Sequence, residues 1–558
     1  MEQGSITTMW RGLWKSHKNT KNLITLSTFR NAGKSNQDRS TKQKDNSSAT
    51  ANSGGPSGNG NEKKPAYTKA QLVGLILGPL LFLLTLLFFN PADLNAGARA
   101  VLASTLWIAT WWVTEAVPIP VTSLLPIILL PITGALDGDT VVSSYGNDII
   151  FLFLGGFFIA TAMEKWNLHK RIALAIISLI GTTPQKIILG FMVATAFLSM
   201  WVSNTAATMM MIPIGLAIVY QASQSLKQGG HASEIPKFEK AIIFGIGYAG
   251  TIGGLGTLIG TPPLSILAAT VGEMYGTEIS FAGWMVFGVP LVIIMIPLVW
   301  LYLTRVVYKV NFSELPGGKE QISQERKGLG TITYEEKSVL AVFLFAAFMW
   351  ITRTFIWENI VGVPGISDGM IAMAATIMLF MIPAKNVEGS KLMEWSDSKE
   401  IPWGILILFG GGLAIAAGFT ETGLSDWVGD QLTFLDGMHF VIIVLVATAV
   451  VLFLTEVTSN TATGTMIIPV VASLAVAMNI HPYALMVSCA MAANCAFMLP
   501  VGTPPNAIIF ATGKLTIKEM VKNGFWLNII AILLIVAAVY FYLPVAWDIN
   551  LLEVPSGF

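Results

Sequence analysis

Residues 203–214 read SNTAATMMMIPI and residues 459–470 read SNTATGTMIIPV, identical at seven of twelve positions and 256 residues apart. Each phrase is followed by a second shared one, Gly260-Thr261-Pro262-Pro263 and Gly502-Thr503-Pro504-Pro505. A Ser-Asn-Thr turn offers hydroxyl and amide oxygens. The helix that begins after it offers free backbone N–H groups with partial positive charge, which bind carboxylates or phosphates. Asn and Thr oxygens with freed carbonyls are also hard ligands suited to Na+. One copy alone is more often a helix cap or a surface turn; two in register, each with its Gly-Thr-Pro-Pro, point to a duplicated binding site. No Lys or Arg lies in any of the four phrases. Two negative charges held in low dielectric without partners are prohibitive, so cations must accompany a bound dianion. Na+ is the expected ion; a proton is the alternative, but no group in the four phrases titrates near neutrality. The GTLIGTPP run lacks the lysine of a phosphate-binding loop, and that reading is rejected.

The chain that must position these phrases has 558 residues, 53% hydrophobic and 12% charged, with a mean hydropathy of +0.65. It cannot cover a soluble surface, and its apolar runs approach the ~20 residues needed to cross a bilayer as a helix. A barrel would show alternating segments instead. Net charge is zero, which points to no nucleic-acid partner. The expected class is an all-α polytopic membrane protein. The apolar stretch from 187 to 221 would be ~52 Å long as one helix, against a ~30 Å hydrocarbon core, so it must fold back, and the expected place is Ser203-Asn204-Thr205. The second copy sits at the centre of a like stretch, 439–476. Gly-rich runs interrupt the spans 240–272 and 483–512, and Gly155-Gly156 and Gly410-Gly411-Gly412 are expected to interrupt two more.

Lys and Arg occur at 165–171, 227–240, 305–337, 385–399 and 514–522, whereas 134–147, 273–283, 358–366, 423–438 and 547–558 have none. The positive-inside rule then places the N-terminus in the cytoplasm and the C-terminus outside. The two Ser-Asn-Thr fold-backs enter from opposite sides. About 11 spans result, in two inverted repeats with re-entrant hairpins and broken helices, the pattern of a secondary transporter. The expected divisions are a disordered basic cytoplasmic tail at 1–68, a first span at 69–96, a first repeat at 97–310, a cytoplasmic linker at 311–336, a second repeat at 337–546 and an external C-terminus at 547–558.

Other polar residues have plainer readings. Cys489 and Cys495 lie in one apolar run and are expected to be buried and unpaired. The five histidines fall in the tail or at segment ends. Trp111 and Trp112 read as interfacial anchors, Glu115 as a span-end residue, and Arg353 as a snorkelling one. Glu456, three residues before Ser459 and aligned with Met200, either tunes the second cation site or pairs within the fold.

With both phrase pairs in hand, the chain resembles the divalent anion–sodium symporter family, the group that includes the INDY transporters, over roughly 70–546. The resemblance implies inverted repeats with Ser-Asn-Thr hairpin tips at mid-membrane, a homodimer and elevator-type alternating access. It implies that Asn204, Thr205, Asn460 and Thr461 contact the substrate carboxylates, with Thr503 and Pro504 beside them. A first Na+ site is implied at Asn204 with backbone around Ser199, Ser203 and Gly256. A second is implied at Asn460, Thr455 and backbone around Ser459 and Gly502. The first Gly-Thr-Pro-Pro departs from the pattern, with Leu264 where the second has Asn506. The implied activity is Na+-coupled uptake of C4 dicarboxylates (succinate, fumarate, malate) across the cell membrane, with Na+ as coupling ion and no cofactor. A citrate carrier or a Na+-independent dicarboxylate exchanger is the alternative. An intramembrane enzyme would need an Asp pair or a Ser–His dyad that the sequence does not offer.

Overall fold

The computed structural model describes residues 67–555 apart from 92, 182, 229–231, 311–317, 359, 363–364 and 432–437. The tail expected at 1–68 therefore lies outside the described residues except for its last two. A first compact unit comprises residues 69–510 with 515–558. The first unit holds both Ser-Asn-Thr and both Gly-Thr-Pro-Pro phrases.

Among the described residues, six helices are long and apolar enough to cross a membrane: Lys69–Phe88, Gly138–Lys165, Phe281–Val307, Trp403–Glu421, Asn460–Ala477 and Ile517–Trp547. Four shorter apolar helices, among them Pro184–Ser199 and Phe440–Thr455, accompany them. Lys69–Phe88 turns Val73, Ile76, Leu83, Leu87 and Phe88 outward. Apolar residues on the outside as well as in the core are what a lipid solvent permits.

Eight helices carry the repeated phrases. In the first half, α1 (Pro184–Ser199) ends just before the first phrase and α2 (Asn204–Gln228) begins inside it. Next, α3 (Ile235–Gly253) breaks at 254–261 before α4 (Pro262–Tyr275). The second half replays the order with α5 (Phe440–Thr455), α6 (Asn460–Ala477), α7 (Pro482–Asn494) and α8 (Pro504–Ala511). Proline explains the restarts, because at the first turn of a helix its missing N–H costs nothing and its fixed φ suits the helix. The fold-back at each Ser-Asn-Thr and the break before each Gly-Thr-Pro-Pro are thus where the sequence puts them.

Four expectations need correction. Gly155-Gly156 and Gly410-Gly411-Gly412 do not interrupt their spans; they lie inside the unbroken helices Asp148–Lys165 and Trp403–Glu421. Their role is close approach: a Cβ at Gly155 would lie 2.5 Å from Ala372 Cβ, and one at Gly410 would enter the Tyr145 ring. Arg353 does not snorkel. Its side chain is 4% exposed, with Nη2 2.6 Å from Glu278 Oε1 and Nε 3.3 Å from Asp368 Oδ1. Carboxylates at hand give the guanidinium a nearer counter-charge than the interface would. Trp112 is buried and donates to Ser123 Oγ at 3.1 Å, while Trp111 donates to the Gly74 carbonyl at 2.9 Å. Both indoles tie helices together, and Trp112 is too deeply buried to anchor an interface. Glu115 does close its helix, Ala96–Thr114, as a left-handed C-cap. Cys489 and Cys495 are buried and free, and His169, His439 and His481 stand at helix ends; His17 and His231 lie outside the described residues.

Candidate functional site

Two cages of oxygen form at the hairpin tips, built in the same way. In the first, α1 ends at Ser199 and α2 begins at Asn204, so the turn between them folds the Asn204 side chain back over α1. Ser199 Oγ lies 2.5 Å from Asn204 Oδ1 and 2.5 Å from the Gly250 carbonyl oxygen. The same amide atom is 3.1 Å from Gly250 O and 3.2 Å from Gly260 O. In the second, Thr455 Oγ1 lies 2.7 Å from Asn460 Oδ1 and 2.8 Å from the Ala493 carbonyl. Asn460 Oδ1 is 3.2 Å from Ala493 O and 3.1 Å from Gly502 O. Each hydroxyl has one hydrogen to share between two acceptors, so oxygens outnumber protons in both cages. Such a cluster is satisfied by a cation, or by an amide turned to put its N–H inward. Neutral hard oxygens of this kind suit a monovalent ion such as Na+.

The unwound segments after α3 and α7 hold the carbonyls in place. Thr257 Oγ1 donates to the Met200 carbonyl and accepts from Gly260 N at 3.1 Å, fastening the first break to the first hairpin tip. At the position matching Met200, the buried Glu456 carboxylate accepts from the backbone N–H groups of Phe497, Met498 and Leu499 at 2.8–2.9 Å. It also accepts from Asn528 Nδ2 at 2.7 Å. Of the two readings of Glu456, the contacts are those of pairing within the fold. Asn506 Nδ2 braces the second break on the carbonyls of Ala496 and Leu499, both at 3.0 Å. In the first half, Ser265, next to Leu264, does this work through the Leu258 carbonyl at 2.6 Å.

The other expected site residues fall around these cages. Ser203 Oγ accepts from Ala206 N at 3.2 Å, and the Ser459 carbonyl accepts from Thr463 N at 2.8 Å, so both start their helices. Thr205 and Thr461 follow the two asparagines and are half-buried. Thr503 is buried, its Oγ1 accepting from Asn506 N at 3.4 Å, and Pro504 opens α8 exposed. Gly256 packs on Met200, the residue after Ser199, and its carbonyl oxygen would lie 3.3 Å from a Cβ on Gly288. Gly250 and Gly260 supply carbonyls to the Asn204 amide.

Asn494, the last residue of α7, has no counterpart in the repeated phrases and escapes a search for them. It is fully buried. Its Oδ1 accepts from Thr261 Oγ1 at 2.7 Å and from Asn204 Nδ2 at 3.4 Å. Its carbonyl accepts from Asn460 Nδ2, also at 3.4 Å. One residue thus touches both Ser-Asn-Thr asparagines. A lone amide in the apolar run 483–499 was the available signal.

The family model described as sodium:sulfate symporter transmembrane region matches residues 69–547. The chain belongs to this symporter family. This symporter is 57% identical over 494 residues to the "Sodium-dependent dicarboxylate transporter SdcS" of Staphylococcus saprophyticus, covering 88% of this chain and 95% of that relative. It is 56% identical over 491 residues to the protein of the same name from Staphylococcus aureus (strain USA300), at 88% and 94% coverage. In fold the symporter is similar to the Neisseria gonorrhoeae MtrF structure, with a TM-score of 0.54 at 11% identity over 86% of this chain and 96% of that one. It is also similar to the Alcanivorax borkumensis YdaH transporter, with a TM-score of 0.50 at 11% identity over 86% and 97%. The expected all-helical polytopic membrane class agrees with these likenesses.

Proposed function

We propose that this chain is a sodium-coupled symporter of C4 dicarboxylates, succinate, fumarate and malate among them. The observation that carries this reading is the pair of matched oxygen cages, Ser199–Asn204–Gly250–Gly260 and Thr455–Asn460–Ala493–Gly502, meeting at Asn494. Each cage takes one Na+. The partly accessible faces of Asn204, Thr205, Asn460 and Thr461, with Thr503 and Pro504 beside them, take the substrate. Free N–H groups at the starts of α2 and α6 meet its carboxylates, and two nearby cations supply the counter-charge that no basic side chain in the phrases provides. The relatives' printed activity supports both ion and substrate class. Membership of a symporter family removes the enzyme reading.

The finer architecture belongs to the same proposal. The halves are inverted repeats, and paired short helices complete about eleven spans. The N-terminus lies in the cytoplasm, as the basic segments support. Two copies assemble as a homodimer and work by elevator-type alternating access.

The test is uptake of labelled succinate into proteoliposomes under a Na+, Li+, K+ or proton gradient. Uptake is expected with Na+ and not with K+, and equal rates under the two would refute coupling. Preference for citrate over succinate, or exchange without Na+, would instead support the alternatives. Asn204→Ala and Asn460→Ala are each expected to abolish uptake while the protein still folds.

A further inference from the structure

We infer that Asn494 is the positioning residue that turns both Ser-Asn-Thr amides oxygen-inward and thereby couples the two cages, an inference that rests on reading those cages as cation sites. An asparagine amide can be placed either way round, and only its hydrogen-bond partners decide which end is which. For Asn494 they decide clearly. One end lies 2.7 Å from the Thr251 carbonyl, which can only accept, so that end is Nδ2. The other end is then Oδ1, and it accepts from the Thr261 hydroxyl at 2.7 Å. This oxygen also faces the outer end of the Asn204 amide at 3.4 Å. An acceptor there calls for an N–H from Asn204, which leaves Asn204 Oδ1 pointing into the cage, where a bound cation satisfies it; an empty cage favours the reverse, with the N–H inward on Ser199 Oγ, Gly250 O and Gly260 O at 2.5–3.2 Å. The main-chain oxygen of Asn494 imposes the same orientation on Asn460. Turning either amide would set oxygen against oxygen at Asn494.

The two contacts make a physical route between the cages. A cation drawing on Asn204 Oδ1 polarises its N–H groups and tightens the bond to Asn494. Asn494 in turn holds the carbonyl on which Asn460 relies. Counted from the Gly-Thr-Pro-Pro phrases the matching position in the first half is Ile252, which has no polar side chain, and counted from the Gly250 and Ala493 carbonyls it is Thr251, whose hydroxyl turns to the Gly247 carbonyl at 3.5 Å. The link is therefore a single strut between the repeats and has no symmetric twin. Outer partners of this kind, which orient a ligand without touching the metal, commonly govern affinity.

The test uses the full chain in detergent and reads the thermal midpoint against NaCl, with KCl at equal ionic strength as control. An ion that binds only the folded state raises the midpoint in proportion to its binding. Asn494→Ala removes the side chain but keeps the carbonyl, so it should loosen the first cage and spare the second. Asn460→Ala leaves the first cage to be measured alone, and Asn204→Ala leaves the second. Adding Asn494→Ala to Asn460→Ala is expected to raise the half-saturating Na+ concentration about 5-fold or more, and adding it to Asn204→Ala to change it by less than about 2-fold. With both cages intact, Asn494→Ala should also lower the Hill slope for Na+ to about 1. Equal weakening in both backgrounds would make Asn494 a general structural residue and overturn the inference, as would no weakening with Asn460→Ala. Should Asn494→Ala not fold, Thr261→Val removes the hydroxyl that pins Asn494 Oδ1, and the same asymmetry decides. No advantage of Na+ over K+ in the unsubstituted protein would refute the cation-site reading itself, and this inference with it.

Discussion

At the scale of the residue, the first cage has no spare volume. A Cβ added to Gly254 would sit 2.6 Å from Asn204 Oδ1, 3.0 Å from its Nδ2 and 3.1 Å from the Gly260 carbonyl. Gly254→Ala must therefore push the Asn204 amide off its carbonyls without touching either phrase. The expected result is a loss of Na+-dependent stabilisation of about 10- to 100-fold in apparent affinity, with the fold retained. A Na+ titration of the thermal midpoint would show it, and an unaltered titration would mean the amide is not the ligand. Asn204 and Asn460 could be found from sequence because they are written twice in the same words. Gly250 and Ala493 could not, since they act through backbone atoms, which any residue type possesses, and Gly254 could not, since it acts through the Cβ it lacks against a remote side chain. Asn494 is an intermediate case: its polarity in an apolar run was visible, but its contact with residues 290 and 34 positions away was not.

At the scale of the element, the two broken helices are fastened to their hairpins by different chemistry. The first uses a side-chain hydroxyl, Thr257, on a main-chain carbonyl, Met200. The second uses a side-chain carboxylate, Glu456, on three main-chain N–H groups. In both halves the break donates and the hairpin accepts, but the side chain comes from the break in the first and from the hairpin in the second, which explains why positions 200 and 456 differ while the surrounding phrases agree. Glu456→Gln keeps the shape but swaps one oxygen for an amide nitrogen, setting N–H against N–H. The expected cost is about 1–3 kcal/mol, the penalty of a buried polar group left without a partner. Thermal melting without Na+ would reveal it. An unchanged midpoint would show that the break does not depend on the carboxylate. Glycine-rich stretches taught a related lesson. Two of them are breaks and two lie within straight helices, because glycine serves unwinding and close packing equally well, and only the neighbour that fills the missing Cβ tells these apart.

At the scale of the whole molecule, distant segments set the behaviour of single groups. His481 caps the start of α7 and is buried, its backbone N–H bonded to the Leu551 carbonyl at 3.1 Å from the far end of the chain. Burial pushes its imidazole down to about 4 from an ordinary 6.5. The folded group stays neutral while the unfolded one takes a proton, so its contribution to stability is complete above pH 6.5 and is lost as pH falls towards 4. His481→Asn keeps a helix-capping side chain and removes the titration. The thermal midpoint of the variant should therefore fall less steeply between pH 6.5 and 4 than that of the unsubstituted protein, and equal slopes would place the acid sensitivity elsewhere.

Sequence alone determined the apolar class, the two fold-backs and the two broken helices. Hydropathy, proline and repetition are properties of the chain read in order, and they act locally. Only the tertiary structure decided that Gly250 and Gly260 stand at the first cage, that Arg353 is buried among carboxylates, and that Asn494 lies between the two asparagines. Each of these depends on which backbone oxygen or side chain from a remote segment arrives within about 3 Å, and hydrogen bonding at that range is set by packing, which no local pattern encodes.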